Sequence, residues 1–427
     1  MDTIRAFGEA TFASLSIRNY RWYFIGIGFS HIGTWMQTVA LGWLVLELTG
    51  SGTALGTVLA FRFAPLFFGG LFGGAIVDRF DKRLLLYATQ AAAALIAFSL
   101  GALIFFGAIQ LWMVYLAAAL FGLADVVDRP ARQTFIHEMV GPDNLRNAVA
   151  LNSTEANLAR TIGPLFAGVL IASVGMVFCF LANALSYVVF IVFLALIRRE
   201  ELRGERREER AAGHIFAGLK YAASVPLIRM ILLSMAVIGT FSYEFQTSLP
   251  LLARTTFLGD AADYAALLSA MGAGSVAGGL FSASRKVVGA HEFVLWAFLF
   301  GVSICITAAM PSLGLAVVAM GFVGFFSICL SSIGNTMVQL ESASHMRGRV
   351  MSLWTMALFG STLLGAPIIG FIGEHLSPRY ALAAGGIAAL VAAFLANRRL
   401  REGYTLLTIP AFISIRREEA AIEDAKV

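Results

Sequence analysis

The sequence predicts an all-α integral membrane protein of twelve spanning helices in two related six-helix units, and three observations carry that prediction. Of 427 residues, 59% are apolar and only 13% charged, with mean hydropathy +0.80, whereas soluble domains carry roughly a quarter charged residues. The apolar residues gather in runs of the ~20 that a helix needs to cross the hydrocarbon core. The second half of the chain repeats features of the first. Outer-membrane barrel strands need only ~10 alternating residues. Runs this long specify helices, which close their backbone hydrogen bonds internally.

In chain order the spans fall near 22–46, 53–77, 84–106, 111–130, 145–172, 176–197, 227–252, 263–283, 291–309, 313–338, 348–373 and 380–397. Short polar turns such as Glu47-Leu48-Thr49-Gly50-Ser51-Gly52 and Gly107-Ala108-Ile109-Gln110 divide them. Residues 1–21 form an N-terminal segment with Asp2 and Glu9 among Arg5 and Arg18 and no continuous apolar core, so no cleaved signal is expected. A first bundle then occupies 22–197, a charged linker 198–226, a second bundle 227–397 and a tail 398–427, with a short apolar stretch around Leu406 to Ile415. The run from Arg198 to Arg210 is the longest polar interruption. Beyond it, Gly213 to Ala223 reads either as a short helix on the membrane surface, with Ile215, Phe216 and Leu219 toward lipid, or as the ramp into the seventh span.

Orientation follows from the basic residues, which mark cytoplasmic loops. Of 31 Lys and Arg, only Arg254 and Arg379 fall in loops on one side, while Arg62 and Arg160 fall within spans. The other side receives Arg79, Lys82, Arg83, Arg132, Arg146, the linker run, Arg285, Lys286, Arg347, Arg349 and both chain ends. Both termini are therefore expected in the cytoplasm. The net charge of +5 reflects this topology, and short scattered clusters speak against nucleic-acid binding. The expected partners are the lipid bilayer and a small-molecule cargo, with the protein functioning as a monomer.

The repeat pairs Gly73-Gly74 with Gly278-Gly279, Thr134 with Thr336, and Gly163-Pro164-Leu165-Phe166-Ala167-Gly168 with Gly365-Ala366-Pro367-Ile368-Ile369-Gly370. Two similar units able to rock about a shared cavity point toward transport. Gly69, Gly70, Gly73 and Gly74 form small-xxx-small pairs suited to close helix packing in lipid. Pro65, Pro164, Pro250 and Pro367 interrupt helix hydrogen bonds and can bend their spans.

Charges inside spans are costly and face a cavity or a partner. Here they are Arg62, Asp125, Asp128, Glu155, Arg160 and Glu244. Arg62 and Glu244 have long apolar flanks on both sides. Glu244 is the candidate proton carrier, because an apolar surround favours the uncharged form of a carboxyl. Arg62 stays charged and suits an anionic cargo group or a carboxylate partner. Asp125, Asp128, Glu155 and Arg160 belong either to proton coupling or to a structural charge network, with Asp128-Arg129 near enough to the interface to anchor a helix end. Trp35, Gln37, Asn152, Asn157, Tyr243, Gln246 and Gln339 supply the aromatic bodies and amides of a cavity for a bulky, partly apolar compound; His31 reads as a helix contact.

Enzyme signatures are weak. His137-Glu138 and His291-Glu292 lack the second histidine of a metal-binding helix motif, and Gly272-Ala273-Gly274-Ser275-Val276-Ala277-Gly278 lacks the Lys-Ser or Lys-Thr of a phosphate loop. Cys179, Cys305 and Cys329 show no paired spacing. No cofactor or metal is expected, and an ion gradient becomes the expected energy source.

Gly74-Ala75-Ile76-Val77-Asp78-Arg79-Phe80-Asp81-Lys82-Arg83 resembles the hallmark loop of the major facilitator superfamily, with Asp81 where that pattern usually has glycine. The resemblance implies the major facilitator fold and a cytoplasmic latch carried by Gly74, Asp78, Arg79 and Arg83. Asn152, Asn157, Ala159-Arg160 and Gly163-Pro164-Leu165-Phe166-Ala167-Gly168 resemble helix five of its drug:proton antiporter branch, which implies a packing role for Gly163, Pro164 and Gly168. Pro130-Ala131-Arg132-Gln133 and Asn147-Ala148-Val149-Ala150-Leu151-Asn152 resemble more narrowly the enterobactin-exporter and macrolide-efflux branch. The expectation is therefore a proton-coupled exporter of the bacterial inner membrane, carrying a drug or a siderophore-like metabolite. The alternative from another class is a non-concentrative membrane receptor or a lipid scramblase on the same scaffold.

Overall fold

The computed structural model describes residues 12–202, 215–285, 287–343, 346–401 and 409–410. Residues 203–214 of the linker and most of the tail, including the apolar stretch around Leu406 to Ile415 apart from Ile409 and Pro410, lie outside the described residues.

The first half comprises α1 (Arg18–Thr49), α2 (Gly52–Arg79), α3 (Lys82–Phe105), a 64-residue helical stretch Leu111–Val174, and α6 (Val177–Ala195). The long stretch is two helices, because Gly141 adopts φ 69° and ψ 179°, a conformation that L side chains rarely reach, and Pro142 has no amide to continue the ladder. It divides into α4 (111–140) and α5 (142–174). Local chemistry fixes several boundaries. Ser51 caps α2 by accepting from the Ala54 amide at 3.1 Å, and Asp81 caps α3 by accepting from Leu84 at 3.0 Å, each satisfying an amide that helix geometry leaves unpaired.

The second half begins with α7 (Ile215–Ser224), a short helix set off from the seventh span by Val225. Its Leu219 is exposed, and Tyr221 accepts a hydrogen bond from the Ala343 amide at 3.0 Å, tying it to the second bundle. The seventh span is broken: α8 (Pro226–Phe241), α9 (Phe245–Leu251), then a π-helical turn Leu252–Thr256. Next come α10 (Ala261–Ser284), α11 (Ala290–Ala309) and α12 (Leu313–Glu341). The eleventh span is α13 (Arg347–Thr355), a π-helical turn Met356–Gly360 and α14 (Thr362–His375), and α15 (Pro378–Arg401) is the last. A capping box at Asp260 and Asp263 opens α10.

Among the described residues ten helices are long and apolar enough to cross a membrane, with Leu111–Val174 counted once. Its division at Gly141, together with α1, gives the twelve spans of the major facilitator fold. Although 32 residues long, α1 is more polar because His31, Thr34, Gln37 and Thr38 line internal cavities. Outward-facing Leu95, Phe98, Val169 and Phe394 are exposed, an arrangement suited to lipid and unsuited to water.

The internal repeat is visible in matched environments. A Cβ on Gly73 would strike the α4 backbone at Val126, and one on Gly278 would strike α12 at Phe325, while Gly74 and Gly279 both look onto open space. Gly163 lies against Trp35 and Ile32 of α1 as Gly365 lies against Thr240 of α8.

The halves meet through α2 with α14 and α5 with α10. Near the turns at 50–51 and 376–377, Gly52 approaches the Gly370 carbonyl, Gly56 approaches Ala366, and Gly168 faces Ala262 and Ala265. Glu374 accepts from the Ser51 hydroxyl at 2.6 Å and from the Thr53 hydroxyl and amide at 2.6 and 2.9 Å. The seam continues inward to Phe67 against Gly360 and Thr161 against Gly272. Toward the end where α1 begins and α15 finishes, Ser153 and Thr154 of α5 are exposed. Among the described residues the close approaches between the halves gather toward the turns at 50–51 and 376–377, and the opposite end is called the open end for that contrast.

Replacing Gly56 with Leu should force α2 from α14, since no side chain fits between its Cα and the Ala366 backbone. A cysteine at Ser51 should then react several-fold faster with an impermeant maleimide; an unchanged rate would show that this crossing does not close the seam.

Candidate functional site

The larger internal space is a cavity of about 290 Å³ inside the first bundle, among α1, α2, α3, α4 and α6. A second space of about 30 Å³, room for roughly one water, shares Thr34, Arg62 and Tyr187 with it and reaches Gln246 of the second bundle. Three charge networks border the larger cavity. The guanidinium of Arg62 lies 3.3 Å from Asp125 and over the Phe121 ring, and Arg129 approaches the same carboxylate at 3.5 Å. Asp128 accepts from Thr89 at 2.8 Å and Gln90 at 2.7 Å on one oxygen and pairs with Arg132 through the other. His31 of α1 meets Glu155 of α5 at 2.8 Å.

These placements revise several sequence expectations. Arg132 belongs to the body of α4, which runs ten residues beyond the predicted end of its span, and its side chain is 13% exposed over the Phe190 ring. It was expected in a cytoplasmic loop; Asp128, one helical turn back, neutralises it and allows burial. Asp128 accordingly lies in a buried network rather than at a helix end. His31 is a helix contact as expected, made through Glu155.

Trp35 lies against Gly163 and under the Arg160 guanidinium, 5.0 Å from its ring centroid. Gln37 is buried, accepts from Asn183 at 2.7 Å and lines the smaller space. Asn157 donates back to Ser153 of its own helix at 2.8 Å, and the Asn152 oxygen is enclosed without a hydrogen-bond partner. Tyr243 donates to the Ser327 carbonyl at 3.0 Å. Glu244 is 4% exposed at the break between α8 and α9, with Oε1 unpartnered beside Gly365. It lines neither cavity. Gln339 also lies away from both, exposed near the open end of α12, where it donates to Asn335 at 2.5 Å. Pro164 and Gly168 are buried on α5, Gly163 toward α1 and Gly168 toward the second bundle.

At the open end, Asp78 and Arg79 are exposed at the close of α2. Arg83 turns within its own half, donating to Tyr87 and to the Ala195 carbonyl, each at 3.1 Å. The turn does not need the customary glycine, because Asp81 sits at φ −62° and ψ 121°. Its side chain takes a new task, pairing with Arg199 at 2.8 Å. Partial burial pushes the Asp81 carboxyl up, but hydrogen bonds from Arg199 and the Leu84 and Arg83 amides outweigh it and hold the group below the usual carboxylate range.

The sequence reading missed Thr89, Gln90, Tyr187 and the interior position of Arg132. A signal existed for all but Tyr187. Asp128 and Arg132 are spaced i,i+4, the separation at which helix side chains meet, and Thr89-Gln90 interrupts the apolar run of α3.

A two-bundle helical fold with a polar cavity and cross-bundle glycine seams defines a membrane transporter of the major facilitator type. Residues 9–411 match the transmembrane secretion effector family, and the chain belongs to it. Similar proteins include the staphyloferrin A transporter of Staphylococcus aureus (24% identical, 76% of this chain and 82% of that one) and the multidrug efflux pump Tap of Mycolicibacterium fortuitum (25%; 80% and 86%). The enterobactin exporter EntS of Shigella boydii is 24% identical over 87% of this chain and 89% of its own. Among solved structures, a bacterial homologue of the lysosomal transporter Spinster superposes with TM-score 0.71 at 14% identity, covering 91% of this chain and 98% of its own. The nucleoside transporter NupG gives 0.68 at 12%, covering 90% and 99%.

Asp128→Ala should destabilise the protein by about 3–5 kcal/mol, the cost of leaving a buried charge unpaired, while Asp128→Leu with Arg132→Met should recover most of it. Thermal unfolding of the purified variants measures both; equal losses in the single and double variants would contradict the pairing.

Proposed function

We propose that the protein is a secondary active exporter working by alternating access, in which a proton gradient drives a bulky amphipathic small molecule, drug-like or siderophore-like, out of the cell. It lies in the bacterial inner membrane with both termini in the cytoplasm, the orientation that the basic residues favour. The observation that carries this reading is the asymmetric seam, closed by α2 against α14 and α5 against α10 at one end while α5 is exposed at the other. A cavity reached from the cytoplasm through one arrangement of two bundles is reached from outside when the seam opens and the other end shuts.

Cargo or proton can drive that exchange only by binding the two arrangements with different affinity. Glu244 suits the coupling role. It sits where the seventh span unwinds and Gly365 admits its carboxyl, so a change in its charge acts on the fit of α9 to α14. Gly74, Asp78, Arg79 and Arg83 form the cytoplasmic gate in this reading, with Asp78 and Arg79 exposed in the open state. Arg62 is assigned to the cavity, and Trp35, which lines neither described space, to the seam beneath Arg160. The relatives named as siderophore and drug transporters support this cargo range.

The test is twofold. Compounds retained by cells with and without the protein identify the cargo, and proteoliposomes loaded with that cargo report coupling. An imposed proton gradient should accelerate export severalfold, and Glu244→Gln should abolish the acceleration while leaving downhill exchange. Proton dependence that persists in the variant removes Glu244 from coupling. Binding without any concentrative transport would favour a receptor.

A further inference from the structure

Arg160 stands in α5 where the bundles meet. Its guanidinium lies over Trp35 of α1, its backbone carbonyl faces Gly272 of α10, and Tyr243 of the broken seventh span is the titratable side chain within its electrostatic reach. Its Nε is enclosed and has no hydrogen-bond partner. Among the described residues no carboxylate lies within ion-pair distance of Arg160, whereas Arg62, Arg129 and Arg132 each have one. The neighbouring Glu155 is engaged by His31.

A guanidinium stays charged in a protein, and an uncompensated charge removed from water is strongly unfavourable. The face of one indole offsets only part of that cost. The cation is nonetheless held in place by packing, since Gly163 lets Trp35 approach α5 directly beneath it. The helix face carrying Arg160 runs to the protein surface. Ser153, Asn157 and Arg160 follow the i, i+4, i+7 spacing of one helix face, and Ser153 is exposed at the open end.

We propose that Arg160 is an anion-binding group at the bundle seam, approached along this helix face, and that the cargo is an amphipathic anion, its carboxylate or similar oxyanion on the guanidinium and a flat apolar ring against Trp35 and Tyr243. A planar guanidinium fork matches a carboxylate with two parallel hydrogen bonds. The arrangement also links loading to movement. Enclosing Arg160 further costs more around a bare cation than around an ion pair, so an anionic cargo favours the closed arrangement. The assignment rests on the transporter reading only in calling the ligand cargo.

Three probes with one aromatic body separate charge from shape: 2-naphthoate, 2-naphthamide and 2-naphthylmethylamine, titrated calorimetrically into the full-length protein in nanodiscs. Naphthoate should bind about tenfold more tightly than the amide, and the amine most weakly, because charge-assisted hydrogen bonds are the stronger kind. Arg160→Gln should erase that preference, and Arg160→Lys should keep the preference with weaker binding. Without ligand, Arg160→Gln should melt at the same temperature as the native protein or above it, since it removes an uncompensated charge. Equal affinities for the three probes, naphthoate binding no tighter than millimolar, or a charge preference that survives Arg160→Gln would overturn the proposal. So would a lowered melting temperature in Arg160→Gln that Arg160→Lys restores, the mark of a structural cation. Binding is read here without transport, so failed concentrative export sinks the exporter reading alone and charge-blind binding sinks this one alone.

Discussion

Backbone meets backbone where α2 crosses α14 and α5 crosses α10, and the rest of the molecule depends on those crossings. Lipid gives two apolar helices little reason to associate, so small residues that let them approach supply the packing. Gly52 and Gly56 on one side, with Ala366 and Gly370 on the other, place main chains in direct contact, and Glu374 adds hydrogen bonds at the rim. Such a seam is strong in van der Waals terms yet carries few bonds that must break before it opens. It is suited to a closed state that has to be reversible.

Inside the first bundle the logic is electrostatic. Arg62 with Asp125, Arg132 with Asp128, and His31 with Glu155 set charges across or along helices that border one cavity. Pairing makes these groups tolerable at membrane depth, and Thr89 and Gln90 complete the shell of Asp128. The polar character of α1 follows from the same cause, since its His31, Thr34 and Gln37 turn toward this interior. Arg160 breaks the pattern, since among the described residues no carboxylate lies within ion-pair distance of it. That departure connects charge to the movement of the halves.

Spans and their pairing into two units were legible in the chain, because hydropathy over ~20 residues and glycine spacing are local properties. Gly73 with Gly278 and Gly163 with Gly365 came through as structural equivalents. What local reading missed was direction. Arg132 was counted with the loop cations because basic residues report topology on average, while its burial depended on Asp128 one turn away and on Thr89-Gln90 from another helix. Glu244 had the expected apolar flanks, but α8 stops at Phe241, and a helical wheel cannot carry a face across unwound backbone. Gln339 looked like a cavity amide by composition and proved to sit on the outer turn of α12.

Reciprocal motion of the two ends is the central claim, and pulsed electron paramagnetic resonance reads it directly. One spin-label pair at Thr154 and Ala283 spans the open end, and another at Ser173 and Leu258 spans the closed end; all four positions are exposed. During turnover driven by cargo and a proton gradient, the first distance should shorten in the same population in which the second lengthens. Two distances that change in the same sense, or that stay fixed while cargo crosses the membrane, would contradict the account.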